Sequence, residues 1–457
     1  MTHYLKLGVI PAYLLLCLIL GGASAAGFWA NMALQLLALP IIVWSLTVRR
    51  GSPMPAPARQ LMLLLVLMLL VVAVQLVPLP PSLWTALPGR HGVANGFEML
   101  GMPLPWLPIS LSPQGTISSA LWLLPAFAVL LGIIRLGAFR TSWLTWSIIL
   151  VAAASVLIGA LQIAGGDLSP WYFYKITNYG ATTGFFSNSN HMATLLLVTI
   201  PFLAALYLGA RRKGRSTQRA SGMLVIVFGA IAVVLAGIVI NRSLAGLGLA
   251  VPVVSGSLLM IWSRKRKIPL WAWLGVALLA VAAVGVGASA PFSGVRQAEA
   301  EASSSTRSEA FGISARAALD YLPLGSGVGS FNEVYPMYED PTTISRFYMN
   351  HVHNDYIELA LETGVLGLAV LLLFLLWWGR RTIVIWSSDE PDHFARAATI
   401  ASAAILVHSL VDYPLRTAAI SAVFAVCCGL MSEPRARVRK SAPAPAEESQ
   451  PRHLSAD

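Results

Sequence analysis

Residues 61–79 read LMLLLVLMLLVVAVQLVPL, a run with no charge and one polar side chain, Gln75. A helix needs ~20 mostly apolar residues to cross a membrane. In lipid the backbone must satisfy its own polar groups, so such a run forms a helix. Similar runs lie near 7–26, 28–47, 117–138, 142–164, 191–210, 221–240, 243–262, 269–289, 356–378, 396–412 and 417–432. Their spacing predicts an all-α polytopic membrane protein of about 12 transmembrane helices. The alternating ten-residue pattern of a barrel strand does not occur. Composition agrees: 56% of the 457 residues are hydrophobic and 11% charged, against roughly 25% charged in a soluble domain. Cys17, Cys427 and Cys428 all sit inside apolar runs and read as small filler, without metal or disulfide spacing. Residues 7–22 followed by Ala23-Ser24-Ala25 resemble a leader with an A-x-A cleavage site. The run continues almost unbroken through Phe28, so it reads as the first membrane helix.

Lysine and arginine set the orientation. With the N-terminus inside, 23 of the 31 basic residues face the cytoplasm. They include Arg49, Arg50, the cluster Arg211 to Arg219, the run Arg264-Lys265-Arg266-Lys267 and the tail. Arg90, Lys175, Arg242, Arg296, Arg307, Arg316, Arg346 and Arg416 lie outside. The net charge of +11 is therefore a topology and headgroup signal, and no nucleic-acid partner is expected. Three outer loops are long enough to carry function: 80–116, 165–190 and 290–355, the last between the ninth and tenth helices. The chain divides into N-terminal helices at 1–180, a core at 181–432 that includes loop 290–355, and a tail at 433–457. That tail is rich in proline, alanine and charge, and its composition predicts disorder.

The most informative stretch is His351-Val-His353-Asn354-Asp355-Tyr-Ile-Glu358, where the large outer loop meets a membrane helix. Asp355 with Glu358 is a helix-start signal. His353 stands before the positive end of that helix, which would lower its pKa, and it can take a proton from a hydroxyl near neutral pH. A plain polar residue at a membrane boundary is the alternative. Arg242, in the short outer turn Asn241-Arg242-Ser243, is poorly solvated and either functional or snorkelling. Arg307 lies in the large loop. Two arginines can hold a diphosphate in a bidentate way, or they can anchor to headgroups. Asn188 and Asn190, at Gly184-Phe-Phe-Ser-Asn188-Ser-Asn190-His191, can cap a helix or hydrogen-bond a sugar. His408 and Asp412, four apart, share one helix face and either satisfy each other or supply a carboxylate to a site. Tyr321-Leu-Pro323-Leu-Gly325-Ser-Gly327-Val-Gly329 is a tight turn that lets backbone approach closely; it lacks the lysine of a P-loop. No HExxH, GxSxG or CxxC pattern occurs, and no metal or other cofactor is expected.

In this order the motifs resemble those of the O-antigen ligase and polymerase superfamily of bacterial membrane proteins. Its signature is His-Asn, nine residues, then Gly-x-x-Gly; here His353-Asn354 precedes Gly364-Val-Leu-Gly367 by that interval. Asn241-Arg242-Ser243 is similar to the family's Ser-Arg turn but departs in the residue before the arginine. Arg307, followed by Pro323-Leu-Gly325-x-Gly-Val-Gly329, is similar to its loop arginine and glycine-rich turn, with Phe311 where an aromatic, often tryptophan, is usual. Gly184 to His191 looks like its asparagine-containing approach to a core helix. The resemblance spans about 180 to 415, the earlier helices matching by number and hydropathy only. It implies a GT-C-like glycosyltransferase of the bacterial inner membrane, both termini cytoplasmic and the active site periplasmic. The donor would be a glycan on undecaprenyl diphosphate. His353 would act at the acceptor; Arg242 and Arg307 would grip the diphosphate. Asn354, Asp355, Asn188, Asn190 and Asp412 would support them. No metal or nucleotide would be needed, and inversion at the anomeric carbon is expected.

Three acceptors fit: lipid A core, a growing lipid-linked polymer, or an exported protein, as for a protein O-oligosaccharyltransferase. The rival from another class is a transporter or flippase. Transporters place substrate near the midplane between paired broken helices, whereas the ionisable residues here gather at the outer face.

Overall fold

The computed structural model describes residues 3–24, 27–48, 53–210, 217–262, 297–341 and 349–433; for 3, 5, 217, 219–220 and 297–308 it describes the backbone alone. The expected helix 269–289, the run Arg264–Lys267, Ala25, Arg49, Arg50, Arg211–Arg215, Arg296, Arg346 and the tail after Glu433 lie outside the described residues.

The described chain is mostly helical. In order come α1 (His3–Leu20), α2 (Phe28–Thr47), α3 (Ala56–Gln75), the short α4 (His91–Met99), α5 (Pro113–Leu136) and α6 (Thr141–Ala164). They are followed by α7 (Ser189–Ala210), α8 (Thr217–Asn241), α9 (Leu244–Trp262), α10 (Gln297–Asp320), α11 (Asp355–Trp386), α12 (His393–His408) and α13 (Ala418–Ser432). Among the described residues, eight helices are long and apolar enough to cross a membrane: α2, α3, α5, α6, α7, α8, α9 and α11. The apolar parts of α1 and α13 are shorter. This is the architecture of a polytopic membrane protein. Sequence and structure differ mainly at helix ends. Proline in its first turn starts α3 at Ala56. The run expected at 396–412 stops at His408, so Asp412 lies beyond the helix and does not share its face as expected.

The bundle is built inside out. α7 is buried on nearly all sides, packed by α6, α8, α9 and α12, whereas most of α8 is exposed on the outside of the bundle. α12 and α13 are rich in Ala, and their buried faces hold Ala397, Ala398, Ala401, Ala422 and Ala425. Small side chains let helix backbones approach closely, and that packing is what joins helices in lipid. α13 also meets α1 and α5.

A second, smaller apolar core sits over one end of the bundle. Ile313, Ala317, Phe331, Val334, Val352 and Leu361 join α10 to the start of α11. Burying a side chain of the Val, Leu or Phe type stabilises by roughly 1.5–3 kcal/mol, enough to fix this layer. The loop from 76 to 112 is tied down beside it by a two-residue ladder, Pro78–Leu79 against Leu107–Pro108.

The decisive feature is a break in α11. Gly364 has φ 57 and ψ −148 inside an otherwise continuous helix, a conformation essentially restricted to glycine. The glycine-rich turn fits into the break. Ser326 N–H donates to the Leu361 carbonyl (2.9 Å), Gly327 N–H to that of Glu362 (2.9 Å), and Val365 N–H to that of Pro323 (2.8 Å). Gln75, the polar residue ending α3, donates to the Glu362 carbonyl (2.8 Å) and accepts from Val328 N–H (3.0 Å). Backbone groups freed by a broken membrane helix must find partners, and these do. Gly325 and Gly364 both need to be glycine, because a Cβ on either would meet backbone atoms of the other strand of the contact. At Gly367 a Cβ would meet the Thr363 side chain. The two glycines of the Gly-x-x-Gly motif thus have separate reasons.

Arg90 locks the same turn from the other side. It is 2% exposed, donates to the carbonyls of Ile109 and Gly325, and lies 5.1 Å over the Tyr321 ring. Burial lowers its pKa, partly offset by Tyr321.

Gly364→Ala should lower unfolding stability by about 2 kcal/mol or more, since it adds φ/ψ strain to a backbone collision. Denaturation of the purified protein in detergent measures it, and an unchanged midpoint would contradict the interlock.

Candidate functional site

Four separate stretches of chain meet beside the glycine interlock. The first is the approach to α7. Gln162, near the end of α6, accepts from the N–H groups of Thr183 (2.8 Å) and Gly184 (2.9 Å) and so shapes this loop. Asn188 then accepts from Asn190 N–H (2.8 Å), capping the start of α7. The second stretch is the turn between α8 and α9. Asn241 donates to the carbonyls of Thr182 (2.9 Å) and Ser189 (3.1 Å), and Ser243 Oγ donates to Asn190 Oδ1 (2.7 Å). Arg242, between them, is exposed and has φ 57.

The third stretch holds His351 and His353. Asn354 caps α11 by accepting from the N–H groups of Tyr356 and Ile357, and its Nδ2 donates to the Leu410 carbonyl (2.9 Å). Such a cap is worth ~1 kcal/mol. The helix-start signal was read on Asp355 and Glu358; the capping side chain is Asn354, and the two acids have other work. The fourth stretch is the turn after α12. Asp412 is fully buried, and its Oδ1 accepts from Tyr413 N–H (2.9 Å) and lies 3.2 Å from His353 Nδ1.

Tyr413 is the hub. Its ring lies 5.0 Å from that of His191, 4.5 Å from that of His351 and 4.8 Å from that of His353. Its hydroxyl bonds with Asn350 and Asn188. Burial, together with the neighbouring Asp412 carboxylate, pushes that hydroxyl up to about 12. It stays a neutral hydrogen-bonding group at physiological pH.

Behind the hub is an ionic cluster. Asp355, Glu358 and Glu362 recur three and four residues apart and so share one helix face. Arg416 reaches all three, at 3.4, 3.2 and 3.3 Å. Burial would depress the guanidinium pKa, but the three carboxylates outweigh it and hold it above its ordinary value. Glu358 also pairs with His351 Nδ1 (2.8 Å) and accepts from Val352 N–H (3.0 Å). Glu362 accepts from Gly329 N–H (2.8 Å), which joins the cluster to the glycine turn. Among the described residues no group of three or more His, Cys, Asp or Glu is arranged to hold a metal ion.

His353 is 17% exposed. An Nδ1–H directed at Asp412 leaves Nε2 with a free lone pair, so the carboxylate selects the tautomer and aims the ring. Among the described residues, Arg242 and His353 are the two non-glycine residues with positive φ. Backbone strain of this kind costs about 1–3 kcal/mol and persists where surrounding contacts enforce it.

The structure therefore gathers His353, Asn354, Asp355, Asn188, Asn190 and Asp412 at one end of the bundle, and it ties the Arg242 turn to Asn190. Arg307 belongs to the α10 stretch 297–308, whose side chains lie outside the described residues. Residues 229–372 match the family model of the O-antigen ligase. That match supports a place in the O-antigen ligase superfamily for this part of the chain. The matched segment runs from α8 through the turn of Arg242, α10, the glycine turn and His353, and past the broken Gly364 of α11. Asn188 to His191 and Asp412 to Arg416, which complete the site, lie outside that segment. No curated protein matches the chain. The match supports an O-antigen ligase or polymerase type of activity in polysaccharide biosynthesis, and the apolar helices fit a membrane protein.

Sequence reasoning missed three parts of the site. Arg416 was counted as one outer cation among eight. The signal was available: acids at 355, 358 and 362 form a stripe on an otherwise apolar helix, and such a stripe needs a cation nearby. His191 and Tyr413 carry no local signal, since their meeting depends on α7 packing against α12. Gln75 was visible as the one polar side chain in its run.

Arg416→Met should destabilise the protein by about 3–5 kcal/mol, the usual cost of removing one partner from a buried ionic cluster. Unfolding in detergent measures this. Adding Glu358→Gln and Glu362→Gln to that variant should recover part of the loss, and no recovery would contradict the cluster.

Proposed function

We propose that the protein transfers a glycan from undecaprenyl diphosphate to an acceptor hydroxyl on the periplasmic face of the inner membrane. The acceptor is lipid A core or a growing polysaccharide. The observation that carries this reading is the pairing of His353 with buried Asp412 (3.2 Å), at a site where the strained Arg242 turn is anchored through Asn190.

In the proposed reaction the acceptor oxygen attacks the anomeric carbon. Its proton passes to Nε2 of His353, and the charge that forms on the imidazole faces Asp412. The bond from the anomeric carbon to the diphosphate oxygen breaks, and the electron pair leaves with undecaprenyl diphosphate. Arg242 and Arg307 hold that diphosphate and stabilise the charge that builds on it. Attack opposite the leaving group inverts the anomeric centre. The lipid diphosphate is already a good leaving group, so the step calls for no metal or nucleotide. Asn354 and Asp355 fix the loop on which His353 sits, while Asn188 and Asn190 fix α7 and the Arg242 turn. The bias of basic residues supports cytoplasmic termini and an outward-facing position for this end of the bundle.

Purified protein in detergent, given an undecaprenyl-diphosphate glycan and an acceptor, should release undecaprenyl diphosphate. His353→Ala should cut that release by about 10²–10⁴-fold, the usual worth of a general base, and Arg242→Ala should raise the donor KM as well as lower kcat. Release unaffected by both changes would overturn the site. Deleting the gene and profiling surface glycans identifies the acceptor: lost capping of lipopolysaccharide marks a ligase, and shortened chains mark a polymerase.

A further inference from the structure

His191 is the third residue of α7 and is fully buried. Neither of its ring nitrogens has a hydrogen-bond partner. Leaving a buried donor or acceptor unpaired costs about 1–3 kcal/mol, and a phenylalanine would fill similar space without that cost. Its Nε2 nonetheless lies 3.9 Å from Oδ1 of Asp412, the same oxygen that faces His353 Nδ1 at 3.2 Å. Its ring edge packs on Tyr413, as does that of His353. One turn along α7, Thr194 Oγ1 lies 2.9 Å from His408 Nδ1, and Asp412 N–H donates to the His408 carbonyl (3.0 Å). α7 and the turn after α12 are thus registered to each other around one carboxylate.

We infer that His191 is a positioning residue for the transfer reaction: its Nε2–H faces the same oxygen of Asp412 that His353 faces and holds that carboxylate aimed at the catalytic imidazole. The inference rests on the function proposed above. Hydrogen bonds of catalytic chains are often long without substrate and tighten as charge develops. When His353 accepts the acceptor's proton, the Asp412 anion is what stabilises the new cation, and a second N–H on the same oxygen keeps the proton from moving on to Asp412. The titratable and charged groups facing this centre are His191 and His408 from the helices, His351 and His353 from the loop, and Tyr413, with Glu358 and Arg416 beyond His351.

The test compares His191→Phe and His191→Gln with wild type in the undecaprenyl diphosphate release assay. His191→Phe should fold with unchanged or raised thermal stability, lower kcat about tenfold and leave the donor KM within about twofold, the pattern of a contact that matters in the transition state alone. The acid limb of its pH–rate profile should differ from that of wild type, because Asp412 no longer meets the imidazole in the same geometry. His191→Gln, which keeps an N–H, should recover much of kcat. In an Asp412→Asn background His191→Phe should have no further effect, since it acts through Asp412. Wild-type kcat and pH profile in His191→Phe would overturn the inference while leaving the function intact, as loss of activity in His353→Ala would show. Additive losses with Asp412→Asn would also overturn it. Should His191→Phe not fold, His191→Met takes its place, and failure of both to fold would assign the histidine a purely structural part and overturn the inference.

Discussion

The end of the bundle that carries His353 and Arg416 hangs on one backbone contact, the seating of the Pro323–Gly329 turn in the break of α11. A helix broken in or near lipid exposes carbonyls that water cannot reach, and each would cost several kcal/mol if left unpaired. Here the Leu361 and Glu362 carbonyls are answered by Ser326, Gly327 and Gln75. The contact is backbone to backbone, so glycine is required on both sides. Its effect is to set the short segment 355–363 independently of the long membrane helix behind it. That segment carries the acids that hold Arg416, and it directly follows His353.

The charges obey the same economy. A buried carboxylate is tolerated when it is paired and hydrogen-bonded. Glu358 and Glu362 meet Arg416, and each also accepts a backbone N–H. Asp412 meets His353 and the Tyr413 amide. The broken helix invites comparison with transporters, which use such breaks to place substrate at the midplane. In this chain the break is filled by its own glycine turn, and the ionisable groups gather at the loop-bearing end of the bundle. That arrangement suits chemistry on a membrane-anchored substrate met from one side.

Much of this was legible in the sequence, and the parts that were not have a common cause. Long apolar runs specify helices through local physics, so those at 28–47, 142–164 and 191–210 could be read to within about two residues. His353-Asn354 with Gly364 and Gly367 was readable as a motif, but the reason for its spacing was not: it is the length of helix between the His353 loop and the break. Asp412 was placed on the α12 face because its spacing from His408 is helical, whereas the chain turns after His408. Arg416, His191 and Gln75 gain their roles from partners far away in sequence, and no local pattern encodes those distances. The glycine turn was recognised as a place of close backbone approach, yet what it approaches appears only in three dimensions.

The measurement that tests the central contact most directly is hydrogen exchange of individual backbone amides in the folded protein. Loop amides open to water exchange quickly, while those in cooperative structure are protected to the free energy of its opening. The amides of Ser326, Gly327 and Val365 should be as strongly protected as those in the buried middle of α7. Exchange at those three positions as fast as at Lys175 or Ile176, in the exposed loop before α7, would show that the turn is not seated in the helix, and the proposed site would fall with it.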